Sequence, residues 1–218
     1  KDEANAWFVG EPFKVFYDYK KEGIWQLGEE AAAAANGQEP GDIKVQDVDG
    51  NGVITTDDRI IYSQRPDVTF GFNNTFNYKG FDLSVFLYAR LGQWIAYDYN
   101  TTYRINALEN GGNVDYWTPE NPTNAFPRPN KSKSYTQVTY YSTLKYEDGS
   151  FFKIRDITLG YTFKPELLKH LNLSRLRVYA TAKNFFTFSK IDNYDPEQGG
   201  SISFPMTKQL VFGLNVEF

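Results

Sequence analysis

The chain has 218 residues, of which 41% are hydrophobic, 23% charged and 17% aromatic, and it carries a formal net charge of −4. With 16 Tyr, 18 Phe and 4 Trp but no Cys, it has no disulfide scaffold, no thiolate zinc site and no cysteine nucleophile. The acidic balance gives no basic footprint for nucleic acid, and without a run of about 18 apolar residues no helical membrane span is available.

Lys1-Asp2-Glu3 has neither the basic start nor the apolar stretch of a signal peptide, and reads as the middle of a longer polypeptide. Residues 10–30 mix aromatics with charges and show no sustained periodicity. Glu29 to Ala35, bounded by Gly28 and Asn36-Gly37, predicts about two turns of helix, because Ala has the best helix propensity and its flanks are breakers. Pro40-Gly41 marks a turn.

Asp47-x-Asp49-x-Asn51-Gly52 followed by Asp58 fits the EF-hand loop template, with Asp58 where the template has a bidentate Glu. Side-chain oxygens of Asp47, Asp49, Asn51 and Asp58 and the carbonyl of Val53 would wrap a structural Ca²⁺. The competing reading is an Asx-rich turn held by side-chain to backbone hydrogen bonds. Flanking EF-type helices are not expected, since Ile60-Ile61-Tyr62 reads as extended.

From Val68 the chain alternates regularly, with only Asn74 breaking the apolar face of the first run. Val68, Phe70, Phe72, Phe76 and Tyr78 interleave with polar residues, Lys79-Gly80 follows, and Phe81, Leu83, Val85, Leu87, Ala89 and Leu91 continue the apolar set. Two period-2 strands joined by two turn residues predict a tight hairpin. Three more strands are expected: one through Ile157, Leu159, Tyr161 and Phe163, one from Leu176 to Phe188, and one from Leu210 to Phe218.

The connections alternate short and long: Lys79-Gly80 and Lys164–Ser174 are short, whereas residues 92–150 and 189–205 are long. Antiparallel strands with loops sorted in this way describe an outer-membrane barrel. A soluble sandwich shares the alternation but not the sorting. Polar faces bearing Arg175, Arg177 and Lys183 suit a hydrated lumen, and clustered Phe and Tyr at strand ends suit interfacial girdles. Five strands cannot close such a barrel, so the chain would be one piece of a larger one.

Several segments then resemble the SusC/RagA-type TonB-dependent outer-membrane transporters of Bacteroidetes. They include Gly41-Asp42-Ile43-Lys44, Asp47-Val48-Asp49-Gly50-Asn51-Gly52, Thr69-Phe70-Gly71-Phe72-Asn73-Asn74 and the Tyr78-Lys79-Gly80-Phe81 hairpin. Trp117-Thr118-Pro119-Glu120-Asn121-Pro122, Ile157-Thr158-Leu159-Gly160-Tyr161, Lys183-Asn184-Phe185-Phe186, Tyr194-Asp195-Pro196 and Phe212-Gly213-Leu214-Asn215-Val216 continue the likeness in the family's order. The resemblance implies an all-β fold in which these are the C-terminal antiparallel strands of a barrel of about 22 strands, with long extracellular loops. Residues 1–67 would form an extracellular loop region with the short helix and the EF-hand-like loop, and residues 68–218 the barrel strands; a plug domain and TonB box are not among these residues.

The resemblance further implies import of oligosaccharide or peptide across the outer membrane of a Gram-negative cell. Its partners would be the remainder of the same barrel and its plug, a SusD-like surface lipoprotein, TonB-ExbB-ExbD, the outer-membrane assembly machinery, and lipid or lipopolysaccharide. Phe218 would be the assembly signal. Trp94, Tyr97, Tyr99, Tyr116 and Trp117 would contact the lid or stack on ligand, against the plainer reading of loop self-packing. Neither the lone His170 nor any Ser-His-Asp arrangement has defensible spacing, so no enzyme is expected. Two alternatives stand beside import: a structural or assembly component using the same barrel, and a soluble carbohydrate-binding β-sandwich module.

Overall fold

The computed structural model describes residues 1–13, 15–106 and 111–218. In chain order its strands are β1 (Val15–Tyr19), β2 (Lys21–Ile24), β3 (Ile43–Val45), β4 (Arg59–Ser63), β5 (Val68–Tyr78), β6 (Phe81–Leu91), β7 (Trp94–Ala96), β8 (Tyr146–Asp148), β9 (Phe151–Thr162), β10 (Arg175–Ser189) and β11 (Gln209–Glu217). The α-helices are α1 (Glu30–Ala35) and α2 (Pro165–Leu168). The chain divides into two compact units: Lys1–Arg65 with Trp94–Glu147 and Gly199–Ile202, and Pro66–Gln93 with Asp148–Gln198 and Ser203–Phe218.

The second unit is built on one five-stranded antiparallel sheet in the order β11-β10-β9-β6-β5. Its strands are 11, 11, 12, 15 and 9 residues long in chain order, against the roughly 9–11 residues a tilted strand needs to cross a bilayer. The β5–β6 hairpin turns at Lys79 (φ 48°) and Gly80 (φ 89°). Paired positive φ values match the right-handed twist of the flanking strands, and a Cβ on Gly80 would sit 2.8 Å from the Thr162 carbonyl oxygen.

Register turns the alternation into two continuous faces. One row runs Phe76, Leu83, Leu159, Ala180, Phe212 across all five strands, and the next runs Tyr78, Phe81, Tyr161, Val178, Leu214. Phe70, Phe72, Phe76, Phe81, Leu159, Phe186, Phe188, Leu210, Phe212 and Leu214 are all exposed on this face. Among the described residues no second sheet lies within this unit to cover it, as a soluble sandwich would require. The opposite face carries Asp82, Lys153, Asp156, Arg177 and Lys183. An antiparallel sheet with an apolar face open and a charged face lined is the geometry of an all-β barrel wall.

β9 begins at Phe151, five residues before the alternation at Asp156 predicts. Its register against β6 shifts between Phe86 and Leu87, and against β10 between Lys183 and Phe186, leaving Arg155 over and Asn184 at φ 58°. The bulge switches the phase of alternation, so Phe152 and Ile154 join the apolar face out of step with Ile157. Beyond β9, the short link Lys164–Ser174 holds α2 and a 3-10 turn at Lys169–Leu171.

The first unit pairs β1 with β4, β2 with β3 and β7 with β8. Its core is Ile24, Ile43, Val45, Trp117 and Leu144, each buried side chain of this size being worth about 1.5–3 kcal/mol. Residues 1–65, read from sequence as loop, thus share a packed core with residues 94–147. Strands of three to five residues are too short to show a period, so apart from Ile60-Ile61-Tyr62 in β4, which reads as extended, sequence reading misses them. α1 forms as expected and buries Ala33.

Candidate functional site

The Asp47 loop closes tightly. Asp47 accepts hydrogen bonds from the Gly50 and Gly52 amides, both at 2.7 Å, and Asn51 Oδ1 accepts from the Val53 amide at 2.8 Å. Asp49 Oδ1 accepts from the Asn51 amide at 3.0 Å. Gly50 (φ 73°) and Gly52 (φ 86°) supply the left-handed backbone that lets these amides turn inward. Asp58 is fully buried and staples the loop shut, its carboxylate accepting from the Val48 amide at 2.8 Å and the Thr55 amide at 2.7 Å. Thr55 and Asp58 complete a capping box on the 3-10 turn Thr56–Asp58. The Thr55 amide, with those of Val48 and Asp49, holds the Asp58 carboxyl below the usual carboxylate range.

Asp47, Asp49 and Asp58 place ligand oxygens within 4.8 Å of one another. Three carboxylates this close repel, and an all-oxygen donor set is what a hard cation takes. The backbone donors already hold the loop, so the arrangement satisfies the Asx-turn reading while offering the donors that the metal reading needs.

The five aromatic residues expected at a partner or ligand surface separate. Trp117 is 4% exposed, and its indole Nε1 donates to Gln26 Oε1 at 2.9 Å. A Cβ on Gly41 would lie 2.7 Å from Trp117 Cε3, so the ring packs directly on the Gly41 backbone. Tyr97 is also buried, its ring 5.9 Å from that of Tyr99, and Trp94 stands edge-on to Tyr62 at 4.8 Å. Only Tyr116, 43% exposed, presents a large surface. Trp117 and Tyr97 are therefore core residues rather than contacts offered to a partner. Phe218 lies one residue past β11 and is exposed.

The charged face of the sheet is an ion-pair lattice. Lys153, fully buried, donates to Asp195 Oδ2 at 2.6 Å and Glu197 Oε2 at 2.8 Å, and Arg155 reaches Glu197 at 3.0 Å. The β10–β11 loop is thereby tied back onto β9. Arg155 and Arg90 flank the Tyr88 ring at 5.2 and 5.6 Å from its centroid. Arg175, Arg177 and Lys183 lie on this face as the alternation predicts, each paired with a carboxylate: Glu217 at 3.1 Å, Asp82 at 2.5 Å and Asp156 at 3.7 Å. The Lys153 cluster is missed by sequence reading, because its partners lie 42 and 44 residues away. Also missed is a cavity in the first unit lined by Arg104, Tyr135, Tyr141 and Lys145, whose cations are far apart along the chain.

No family model matches the chain. TonB-dependent receptor P3 of Formosa agariphila is 31% identical over an alignment covering 96% of this chain and 22% of the relative. TonB-dependent receptor SusC of Bacteroides thetaiotaomicron is 31% identical over 79% of this chain and 17% of its own length. The chain thus spans less than a quarter of the curated relatives it matches. Among solved structures, the RagAB peptide transporter superposes with a TM-score of 0.72 over 97% of this chain and 24% of its own, at 24% identity. The RagAB peptide importer in its open-open state gives 0.67 at 26% identity, covering 97% of this chain and 23% of its own. The chain is SusC/RagA-like, with the sequence and fold of the C-terminal part of a TonB-dependent receptor.

Proposed function

We propose that the chain forms part of the wall of a TonB-dependent outer-membrane importer. The observation that carries this reading is the five-stranded sheet with its apolar face open on every strand and its opposite face laced with ion pairs. In lipid, unpaired backbone groups along a sheet edge cost several kcal/mol each, so β5 and β11 pair with further strands of a closed barrel. The cargo is an oligosaccharide or a peptide, a SusD-like lipoprotein lids the barrel, and TonB-ExbB-ExbD supplies the energy. The chain takes no part in catalysis. The likeness to SusC and to RagAB supports this reading over a purely structural barrel.

The test is deletion of the gene followed by growth on single glycans and peptides, with a TonB-deficient strain alongside. Loss of growth on the same nutrient in both strains is expected, together with co-purification of a surface lipoprotein. Unimpaired growth of the deletion strain on every nutrient that the TonB-deficient strain fails to use counts against import.

The Asp47 loop serves as a structural Ca²⁺ site on this reading, its three close carboxylates supporting the assignment. Millimolar Ca²⁺ is expected to raise the melting temperature of the full-length protein, and Asp49→Ala to remove the increment. Identical melting with and without Ca²⁺ removes the metal.

A further inference from the structure

We propose that the short-connection end of the five-stranded sheet seats on anionic phospholipid. Lys79, Lys164 and Lys169 pair with headgroup phosphates, while Leu167 and Leu171 enter the boundary of the acyl chains. The inference rests on the barrel-wall reading and adds to it a class of lipid and the residues that select it.

Aromatic side chains mark the depth. Phe81 and Tyr161, opposite one another on β6 and β9, have ring centroids 4.7 Å apart, and Phe163 stands edge-on to Tyr161 at 5.0 Å. Tyr78 faces Phe81 across the hairpin. In barrels such rings sit at the membrane–water boundary, and short turns lie on the periplasmic side. A lysine follows directly at each strand end: Lys79 after Tyr78, its ammonium 5.1 Å from that ring's centroid, and Lys164 after Phe163. One residue of strand rises about 3.3 Å, so both long side chains reach the headgroups. The two connections are neighbours, since the Thr162 amide donates to the Gly80 carbonyl at 2.8 Å.

The link between β9 and β10 is fixed at both ends. The Phe163 amide donates to the Leu176 carbonyl of β10 at 2.9 Å, and the Ser174 amide to the Glu217 carbonyl of β11 at 2.8 Å. Leu168 is buried, and Asn172, at φ 52°, ends the 3-10 turn. Leu167 and Leu171 are left 60% and 62% exposed, beside strand ends whose Tyr78, Phe81 and Val216 are also exposed. The leucines thus extend an apolar boundary that the wall reading already gives to lipid. Charge then selects among lipids. The two connections carry three lysines against Glu166 alone, on a chain of net charge −4. Among the described residues none of the three lysines is ion-paired, whereas Asp82 and Glu217 at the same end are taken by Arg177 and Arg175. Anionic headgroups supply the counter-charge, and a zwitterionic lipid supplies no net charge.

The test places a bimane probe on Leu171→Cys or Phe212→Cys of the full-length protein, with any native cysteine replaced, in phosphatidylglycerol vesicles carrying nitroxide-labelled lipid. A nitroxide deep in the acyl chains is expected to quench the Phe212 probe, and one near the headgroup the Leu171 probe, each more strongly than aqueous iodide does. A Leu171 probe that the shallow nitroxide leaves unquenched, whether open to iodide or covered by protein, overturns the proposal while quenching at Phe212 keeps the wall reading. No quenching at Phe212 defeats the wall reading and the inference with it. Headgroup choice is read by native mass spectrometry of the detergent-solubilised protein titrated with phosphatidylglycerol or phosphatidylcholine of the same chains. Lys79→Gln, Lys164→Gln and Lys169→Gln are each expected to weaken phosphatidylglycerol binding about fivefold, with phosphatidylcholine binding and heat-modifiability on gels unchanged. An undiminished preference for phosphatidylglycerol in the triple variant, or no preference in the wild type, overturns the assignment to anionic lipid.

Discussion

The guanidinium of Arg177 grips the carboxylate of Asp82 through two hydrogen bonds, 2.9 and 2.5 Å, spanning the sheet from β10 to β6 above Gly160 of the intervening β9. A Cβ at Gly160 would stand 2.6 Å from both Asp82 oxygens and from Arg177 Nη2. Glycine is what allows the pair to close across the strand that separates its partners.

Gly160→Ala is expected to force the clamp open and cost about 1–2 kcal/mol, a value set by charge-assisted hydrogen bonding and reduced for partial exposure. Gly71→Ala, in β5 of the same sheet, meets nothing closer than Phe86 Cε2 at 3.6 Å and is expected to be neutral or mildly stabilising. Urea midpoints of the two full-length variants, read by heat-modifiability on gels, give the comparison; equal shifts would show that the clamp contributes nothing.

Lys153 presents a deeper case, since its ammonium is fully buried between two carboxylates. Lys153→Met leaves Asp195 and Glu197 crowded together with, among the described residues, Arg155 alone paired to one of them, and is expected to cost about 3–5 kcal/mol. The Lys190–Asp148 pair, at 3.0 Å but with Lys190 78% exposed, sets the contrast: Lys190→Met is expected to cost about 1 kcal/mol or less. Proteolysis within residues 190–208 should accelerate in the first variant only, because Lys153 holds both Asp195 and Glu197 of that loop against β9.

Val68–Tyr78 and Phe81–Leu91 match their predicted bounds because a buried or lipid-facing side must repeat every second residue and Lys79-Gly80 admits the turn. The start of β9 does not, since Arg155 inserts a bulge that shifts the phase. Lys153 sits in that hidden stretch, and its partners enter from a loop whose fold no local pattern encodes. The same holds for Trp117, whose sequence context resembles a loop surface although tertiary packing on Gly41 makes it core. The Asp47 spacing was legible as a tight oxygen-rich loop, because turn chemistry is local.

Asp58 makes that loop pH-dependent. Its folded carboxyl is depressed by amide donors, Thr55 foremost, from an ordinary value of 3.8. A depressed folded value contributes stability that is present above the unfolded value and lost as pH falls through the folded one. In chelator, wild type should melt above Asp58→Asn at neutral pH, and the gap should narrow once pH drops below about 3.8. A gap that stays constant from neutral pH down to strong acid would assign the stabilisation to shape rather than to charge.

Trp117 and its neighbour Tyr116 separate packing from contact in a single dipeptide. Trp117→Ala removes a large ring from the core formed with Ile24, Ile43, Val45 and Leu144, together with its hydrogen bond to Gln26, and is expected to cost about 3–5 kcal/mol. Tyr116→Ala trims an exposed ring and should leave melting within about 0.5 kcal/mol of wild type. If the lipoprotein lid rests on this part of the unit, Tyr116→Ala lowers the yield of co-purified lipoprotein while stability holds, an outcome that loss of packing cannot mimic. Retention of the full lipoprotein yield in Tyr116→Ala would place the lid contact elsewhere. Unchanged melting in Trp117→Ala would contradict the packing described for this core.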